Sequence, residues 1–474
     1  MPIELDTAAR PHYRALADQL CAAIAQGKIA DGTKLPPVRT LAFDLGISPG
    51  AVARAYKLGV ERGALEATVG RGTFVRADSA GAPRFAMDAL LGPVAGLKDS
   101  SADAPVASNL IDLRGNQAMN VGQDAMIGAA LQRILTAHGT APPLTDYHRR
   151  EDTPHFLGVL AGWLRRQHVP AVADRLLVTS GAQAGVIAAM GVVCRGGTGV
   201  VLTSDTMHPG TRDGITALGI RLEAVTCDEQ GILPDALSAA CARFRPDAVK
   251  LTATLNNPTL AVMGLERRRA VAEVLTCAGV PMIEDDVYGQ LMDTPPPTFA
   301  SLLPDLCWYV TSLSKCVAAG LRAGFVLCPP GRTTATLRAY QAFAHQTPWL
   351  VKALASELVE AGDAETIRQR VAAETAVRAK IAARLLGPFG ARTHPAASFA
   401  YLPMPPGWSS AELVAAAAGR GVLLAPSHSW IVGRSADFVR VALGPRLGRE
   451  ALADALTRIA ALLREGPNPA AVMT

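Results

Sequence analysis

The chain has 474 residues, of which 49% are hydrophobic and 18% charged, and its net charge is +5. This is an ordinary globular composition with enough apolar material for more than one core, so we expect two or more domains. The longest apolar runs are too short to cross a bilayer, which excludes a membrane-spanning protein. No basic region followed by an apolar one opens the chain, so we expect no signal peptide and a cytoplasmic location.

Eight cysteines are present, without a Cys-x-x-Cys pair, and most of them lie among apolar residues. In a reducing compartment they are expected to be free thiols packed in the core. Cys316 is the one whose reactivity would matter, because it follows Lys315.

Residues 1–76 carry ten Lys or Arg and seven Asp or Glu, an excess of +3 in a sixth of the chain. This excess is a weak indication of a polyanionic partner. Apolar residues recur at three- and four-residue spacing from Tyr13 to Ile24, which predicts an amphipathic helix ending near Gly27.

A helix-turn-helix is predicted next. A short helix is expected from Val38 to Leu45, with a tight turn at Gly46 and a third helix capped by Ser48 that runs to about Gly63. In such a pair the later helix enters the major groove of DNA. Two short strands about a glycine hairpin, within 65–75, then form a wing.

Four segments in this region have the order and spacing of a GntR-type winged helix, which residues 10–76 therefore resemble: Leu35-Pro36-Pro37-Val38-Arg39, Leu45-Gly46-Ile47-Ser48, Ala53-Arg54-Ala55-Tyr56 and Gly70-Arg71-Gly72-Thr73-Phe74-Val75. The resemblance implies double-stranded DNA as a partner, contacted by Arg39, Ser48, Arg54, Lys57, Gly70 and Arg71. After Ser48, however, Pro49-Gly50-Ala51 offers no long polar side chain to base edges. We therefore expect the basic residues to contact mainly phosphates. A winged helix that serves only dimerisation or protein contacts is the alternative.

Residues 77–108 form a predicted tether. Nine Ala, three Gly, three Pro and four Ser occur among these 32 residues, with short apolar clusters only near 85–91. Such a segment buries little surface and acts as a flexible linker. The domains are thus predicted to be 1–76, a linker of 77–108, and 109–474.

Apolar runs of strand length alternate with helical stretches through the third segment, at 176–178, 199–203, 248–252, 280–283, 306–310 and 324–327. This alternation predicts an α/β fold whose mostly parallel sheet is covered on both faces. Ligands of such sheets bind at the carboxyl ends of the strands, so the polar residues that follow each run are the candidate site.

Lys315 follows the run at 306–310, and a buried lysine near other cations can form a Schiff base with an aldehyde. A surface lysine beside a helix start is the alternative when this segment is taken alone. The other runs are followed by a helix start at Ala182, an amide at Asn257, and a carboxylate and a phenol at Asp285 and Tyr288. Together these groups are the set that pyridoxal phosphate requires.

Residues 109–474 resemble the class I and II aminotransferases of fold type I, and with the winged helix the chain resembles the MocR-type subgroup of GntR regulators. The resemblance implies a seven-stranded-type sheet, a small C-terminal α+β domain and pyridoxal 5'-phosphate as cofactor. It also implies roles for named residues. Lys315 would carry the cofactor covalently, and the other cofactor-binding residues would be Asp285 at the ring nitrogen, Tyr288 and Asn257 at the ring oxygen, and Ala182, Gln183, Ser312 and Arg322 at the phosphate. Arg440 would bind a substrate carboxylate, and Tyr147 would reach the phosphate of a partner subunit in a homodimer.

Several positions depart from the aminotransferase pattern. His208 lies where an aromatic residue, usually Tyr, stacks on the cofactor ring, and it could add a titratable proton there. Leu260 replaces a usual glycine, which would remove backbone freedom. Ser398 and Ser427 also stand where glycines are commoner. The cofactor side is thus retained while the substrate side has changed.

Three functions follow as hypotheses. The first is a transcription regulator that senses an amino acid or amine through the cofactor. The second is a working aminotransferase with an appended winged helix, and the third is a protein that responds to pyridoxal phosphate itself. The fused winged helix favours the first.

Overall fold

A computed structural model of the chain describes residues 12–25, 29, 33–61, 64–68, 72–75, 110–137, 144–145, 147, 153–194 and 199–467. The chain divides into two compact units, residues 1–93 and 94–474, which we describe separately. Across the described residues, no helix combines the length and apolar character needed to cross a membrane. The predicted tether, 77–108, lies outside the described residues.

Among its described residues, the first unit has three helices and a hairpin: α1 (His12–Ala25), α2 (Val38–Leu45), α3 (Pro49–Glu61), β1 (Leu65–Thr68) and β2 (Gly72–Val75). The two strands pair antiparallel. Gly46 ends α2 in the left-handed conformation at φ 64°, which glycine adopts without steric cost. Apolar residues of all three helices and of the hairpin share one core. This confirms the predicted winged helix-turn-helix.

The second unit is larger, and its described strands are β3 (Ile111–Asp112), β4 (Leu176–Thr179), β5 (Val200–Ser204), β6 (Arg221–Val225), β7 (Cys227–Asp228), β8 (Gly231–Ile232), β9 (Ala248–Leu251), β10 (Met282–Asp285), β11 (Cys307–Ser312), β12 (Gly324–Leu327), β13 (Phe399–Pro403), β14 (Val422–Leu423), β15 (Ala425–Pro426) and β16 (Phe438–Ala442). Its described helices are α4 (Gln123–Ala137), α5 (Pro154–Arg166), α6 (Ala182–Val193), α7 (Pro209–Ala217), α8 (Pro234–Phe244), α9 (Leu265–Ala278), α10 (Phe299–Leu302), α11 (Thr333–Ala344), α12 (Trp349–Glu360), α13 (Asp363–Leu386), α14 (Ser410–Gly419) and α15 (Arg449–Glu465).

A seven-stranded sheet organises this unit in the order β4-β12-β11-β10-β9-β5-β6. Neighbouring strands from β11 to β6 are parallel, whereas β12 runs antiparallel to both of its neighbours. Helices α6, α7 and α11 cover one face, and α5, α8, α9 and α12 cover the other. Burial on both faces explains why the strand sequences are almost continuously apolar.

A smaller three-stranded sheet, β13-β16-β15, packs with α13, α14 and α15 in the C-terminal part. Its strands are antiparallel, with Tyr401 opposite Arg440. The mostly parallel central sheet and this α+β part confirm the predicted fold class. The observed strands begin or end within two residues of the predicted runs, so Asp285 and Ser312 are the last residues of their strands rather than the residues after them.

Candidate cofactor site

Lys315 lies just beyond β11 and is half-buried. Its Nζ donates a hydrogen bond to the backbone oxygen of Asn116 at 2.5 Å. Burial lowers the pKa of Lys315 to about 8, and the positive charges of Arg440 and Arg322 add to this effect, while Asp285 opposes it. A substantial fraction of this amine is therefore neutral and nucleophilic near neutral pH.

One end of the site, which we call the interior end, is formed by the side chains of Tyr288, Asn116, Asn257 and Asp285, which come from distant parts of the chain. Tyr288 is 2% exposed, and its Oη accepts hydrogen bonds from the Nδ2 atoms of Asn116 at 2.8 Å and Asn257 at 3.0 Å. Because both bonds are accepted by Oη, the Tyr288 hydroxyl hydrogen can still be donated to a ligand. Burial raises the pKa of Tyr288, so the phenol stays protonated.

Asp285 also lies at the interior end, at the last position of β10. Its Oδ2 is 2.9 Å from Nζ of Lys250, and the Lys250 side chain is 2% exposed. Lys250 additionally donates to the hydroxyl of Thr252 at 3.1 Å. The carboxylate predicted for the ring nitrogen is therefore already paired with a buried cation.

The opposite end of the site is formed largely by backbone. Gly181 precedes α6 with φ 93°, and a Cβ there would come within 2.5 Å of the guanidinium of Arg322. A Cβ at Gly324 would lie 2.3 Å from the Gly181 carbonyl carbon. Only glycine fits at these two positions. The close approach that the glycines allow brings three groups together: the Arg322 guanidinium, Ser312 at the end of β11, and the first N–H groups of α6. A helix start beside a guanidinium is a suitable seat for a phosphate.

Ala182 and Gln183 occupy the first turn of α6, as predicted for phosphate-binding residues. The Gln183 side chain donates to the Gly210 carbonyl at 2.9 Å, so its amide side chain tethers the start of α7. The backbone N–H groups of this turn are the part directed to the phosphate seat.

Arg440 lies in β16 and is 3% exposed. Its guanidinium is 4.7 Å from the ring centroid of Trp430, and Nη2 donates to the Arg114 carbonyl. Its buried Nε has no hydrogen-bond partner among the described residues. Burial lowers the pKa of Arg440 to about 10, so the side chain remains a cation with one buried donor to offer.

His208 precedes α7, and its ring meets Trp430 edge-on at 5.8 Å between centroids. The His208 side chain is exposed by its surface area, although neighbouring protein still desolvates the imidazole in part. This partial desolvation lowers the pKa of His208, and the Lys315 charge lowers it further. A neutral imidazole therefore faces the site.

Leu260 and Ser398 are two of the residues that differ from the aminotransferase pattern. Leu260 adopts the left-handed conformation at φ 65° although it is not glycine, a strain of about 1–2 kcal/mol. Leucine has less freedom at this φ than glycine would have, so the expectation that Leu260 limits the backbone here stays a prediction. The Ser398 hydroxyl donates to Oδ1 of Asn116 and so fixes the amide that contacts Tyr288.

Tyr147, predicted to reach a partner subunit, is 78% exposed, and its ring packs edge-on against His345 at 4.5 Å between centroids. Within the described residues it is not part of the hydrogen-bonded cluster around Lys315. Of the other predicted cofactor-binding residues, Tyr288 and Asn257 belong to that cluster, and Asp285 and Arg322 lie near enough to Lys315 to influence its pKa.

In the first unit, Ser48 caps α3 by accepting a hydrogen bond from the Ala51 N–H at 3.2 Å. Arg39 on α2 is exposed, and so are Arg54 and Lys57, which lie three residues apart on one side of α3. Gly70 and Arg71 of the predicted wing lie outside the described residues.

Sequence reasoning missed three residues of the site: Asn116, Lys250 and Trp430. A lysine within the otherwise apolar strand Ala248–Leu251 is a signal that could have identified Lys250. Asn116 lies in an irregular segment after β3, where neither periodicity nor strand position indicates its contact with Lys315.

The fold and the site define a winged helix joined to a pyridoxal phosphate-type transferase unit, and comparisons with known proteins agree. The family described as "Aminotransferase class I and II" matches residues 108–459, and "Bacterial regulatory proteins, gntR family" matches residues 12–75. The chain belongs to the class I and II aminotransferase family and carries a GntR-family domain at its N-terminal end.

Two relatives are named as HTH-type transcriptional regulators. The chain is 25% identical over 448 residues to the uncharacterized HTH-type transcriptional regulator YdeF of Bacillus subtilis, covering 91% of this chain and 89% of that one. It is 26% identical to the HTH-type transcriptional regulator TauR of Rhodobacter capsulatus, covering 66% of each. These names agree with the MocR-type resemblance.

Among solved structures, the α-aminoadipate aminotransferase LysN of Thermus thermophilus matches with a TM-score of 0.67 at 22% identity, covering 76% of this chain and 93% of that one. This likeness shows the fold. Family membership indicates pyridoxal phosphate as the cofactor, and the residues present fit it. The glycine-only approach beside Arg322 accommodates a phosphate, and Lys315 has an amine that is partly neutral near neutral pH.

Proposed function

We propose that this protein is a DNA-binding transcription regulator that carries pyridoxal phosphate on Lys315 and senses an amino acid or amine. The observation that supports this most strongly is the presence, in one chain, of a GntR-type winged helix and a sheet in which Lys315, Tyr288 and Arg322 lie beside the ends of neighbouring strands. DNA binding and small-molecule binding are thereby combined in one polypeptide, which acts in the cytoplasm.

Different residues of the site would bind different parts of the cofactor. Arg322, Ser312 and the first turn of α6 bind the phosphate, while Tyr288 and Asn257 orient the ring through its oxygen. When bound, the cofactor supplies an aldehyde that captures amines and a ring that withdraws electrons from them. Lys315 would hold the cofactor through its amine, and the Asn116 carbonyl would keep that amine in position whenever it is free.

Arg440 supports an effector that bears a carboxylate. Its buried Nε donor has no partner among the described residues, while Trp430 fixes the guanidinium plane. A carboxylate would satisfy that donor and would offset the cost of keeping the cation buried. This chemistry favours an α-amino acid over a simple amine.

Binding of such an effector can change DNA affinity only if the two states of the protein bind it differently. An effector bound by Arg440 at its carboxylate and by the cofactor on Lys315 at its amine would favour a closed form of the cofactor unit. The predicted linker at 77–108 would transmit this change to the winged helix. We further propose a homodimer, since Tyr147 is 78% exposed and is the residue that the aminotransferase resemblance assigns to the phosphate of a second copy.

Operator binding in the presence and absence of amino acids tests the proposal. The full-length protein loaded with pyridoxal phosphate is titrated into labelled DNA from upstream of its own gene, with each proteinogenic L-amino acid in turn. We expect one amino acid to change the affinity, and Lys315→Ala to abolish that response while binding DNA as the unliganded wild type does. A full response in Lys315→Ala, or none with any amino acid, contradicts sensing through this lysine.

A working aminotransferase is the second candidate, favoured by the complete set of cofactor-binding groups and the lowered pKa of Lys315. Keto acid release over many turnovers, measured with the same amino acids, separates the two. We expect at most slow release. Rapid turnover without any change in DNA binding would favour the enzyme.

A further inference from the structure

Lys250 is the least expected charge in the cofactor unit. It lies on β9, opposite Ile283 of the neighbouring parallel strand β10. Side chains two residues apart on a strand share a face, so Lys250 and Asp285 point to the same side of the sheet, the side that α6 covers. There the Lys250 ammonium is buried and lies 2.9 Å from the Asp285 carboxylate.

The other carboxylates of β10 do not relieve this pairing. Glu284 points to the opposite face, where it forms a fully buried ion pair with Arg268 at 2.8 Å. Asp286 accepts hydrogen bonds from the Gly289 N–H at 2.9 Å and the Tyr309 hydroxyl at 3.0 Å. Asp285 is therefore the carboxylate that remains for both Lys250 and a ligand.

A carboxylate keeps a pyridine nitrogen protonated when its negative charge is available to the pyridinium. Here the charge is already neutralised at contact distance, and the buried guanidinium of Arg440 is a further cation of the same site. A pyridinium placed beside Asp285 would add a cation to a buried region in which cations already predominate.

We propose that Lys250 sequesters Asp285 in an internal ion pair and thereby keeps the ring nitrogen of the bound pyridoxal phosphate unprotonated. This rests on the proposed function, which puts the cofactor on Lys315 with its ring nitrogen toward Asp285. An unprotonated ring withdraws electrons much less strongly than a protonated one, so a captured amino acid keeps its α-proton. The protein then reports the amino compound without consuming it.

The protonation state of that nitrogen can be measured directly. The full-length protein is loaded with pyridoxal phosphate labelled with ¹⁵N in the ring, and the ¹⁵N chemical shift is recorded by NMR. We expect the shift of an unprotonated pyridine in the wild type and a displacement toward the protonated value in Lys250→Met. Lys250→Arg, which keeps the cation, should retain the wild-type shift, as should Lys380→Met, which removes a charge from an exposed position on α13.

A protonated nitrogen in the wild type overturns the inference, and so does an unprotonated nitrogen that persists in a folded Lys250→Met variant. If Lys250→Met does not fold, Asp285→Asn provides the second comparison. This variant should leave the wild-type ¹⁵N shift nearly unchanged. If Asp285 instead keeps the ring nitrogen protonated in the wild type, Asp285→Asn would lose that proton and the ¹⁵N shift would change. Failure of the proposed function looks different, because a protein that does not hold the cofactor on Lys315 shows no lysine-bound visible absorbance band at all.

Discussion

The two ends of the cofactor site are built in different ways. The phosphate end depends on backbone: two glycines that admit no Cβ, a helix start and one exposed arginine, Arg322. The interior end depends on buried side chains, with Tyr288 held by two amides and Asp285 held by Lys250. The first end is suited to hold any phosphate ester, whereas the second determines what the attached ring can do.

This difference separates binding from chemistry. A backbone cradle tolerates sequence change elsewhere, so cofactor binding can persist while the groups around the ring are altered. Lys250 and Asn116 belong to the interior end, where changes are expected to affect the fate of a bound amine rather than retention of the cofactor. The four predictions below test this separation of roles.

Replacement of Lys315 is expected to have the largest effect. Lys315→Ala should abolish the visible band of lysine-bound cofactor, because the amine of Lys250, the other lysine of the site, is paired with Asp285. The phosphate end should still hold the cofactor non-covalently, so equilibrium dialysis should detect binding in Lys315→Ala but not in Lys315→Ala/Arg322→Met. Retention of the band in Lys315→Ala would mean that a different lysine is used.

Arg322 alone should control cofactor affinity. Arg322→Met removes a charge-assisted hydrogen bond to the phosphate, worth about 1.5–3 kcal/mol, so the Kd should rise roughly 10- to 100-fold. Titration of apo-protein with pyridoxal phosphate measures this, and inorganic phosphate should compete less well against the variant. Arg338→Met, an exposed position on α11, is the control, and an equal loss there would assign the effect to net charge.

The same contrast explains what the sequence could predict. Glycines, a lysine after a strand and an arginine seven residues later are local signals, so Lys315, Ser312 and Arg322 were found from spacing and resemblance. The partner of Asp285 could not be found in this way, since Lys250 is 35 residues away and meets it only because β9 and β10 pair in one register. Asn116 contacts Lys315 across 199 residues, and no periodicity marks such a contact.

At the interior end the expected loss is in stability rather than in affinity. Tyr288→Phe removes the acceptor of two amide hydrogen bonds, from Asn116 and Asn257, and leaves donors buried. The free energy of unfolding should fall by about 1–3 kcal/mol, measured by urea denaturation of the apo-protein. Competition by inorganic phosphate should not change. Thr457→Val, which removes an exposed hydroxyl on α15, should alter stability far less.

The smallest expected change is in the pH dependence of cofactor attachment. Only the neutral amine of Lys315 attacks an aldehyde, and the pKa of this lysine is lowered from 10.5 to about 8 by burial, Arg440 and Arg322. The rate of covalent attachment to apo-protein should therefore rise with pH and level off above about 8. Arg440→Met removes one of the cations, so the pKa rises and the midpoint should move to higher pH.

Stopped-flow absorbance over a pH series measures this rate, and the same series with Nα-acetyllysine corrects for titration of the free cofactor. Arg440 lies toward the ring, away from the phosphate seat, so its removal should move the midpoint while the limiting rate at high pH and the competition by inorganic phosphate stay as in the wild type. A midpoint that moves to lower pH would have the wrong sign for the loss of a cation. It would show that Arg440 acts on Lys315 by positioning the chain rather than through its charge. The Arg114 carbonyl accepts a hydrogen bond from Arg440, and the Asn116 carbonyl, two residues later, accepts one from Lys315.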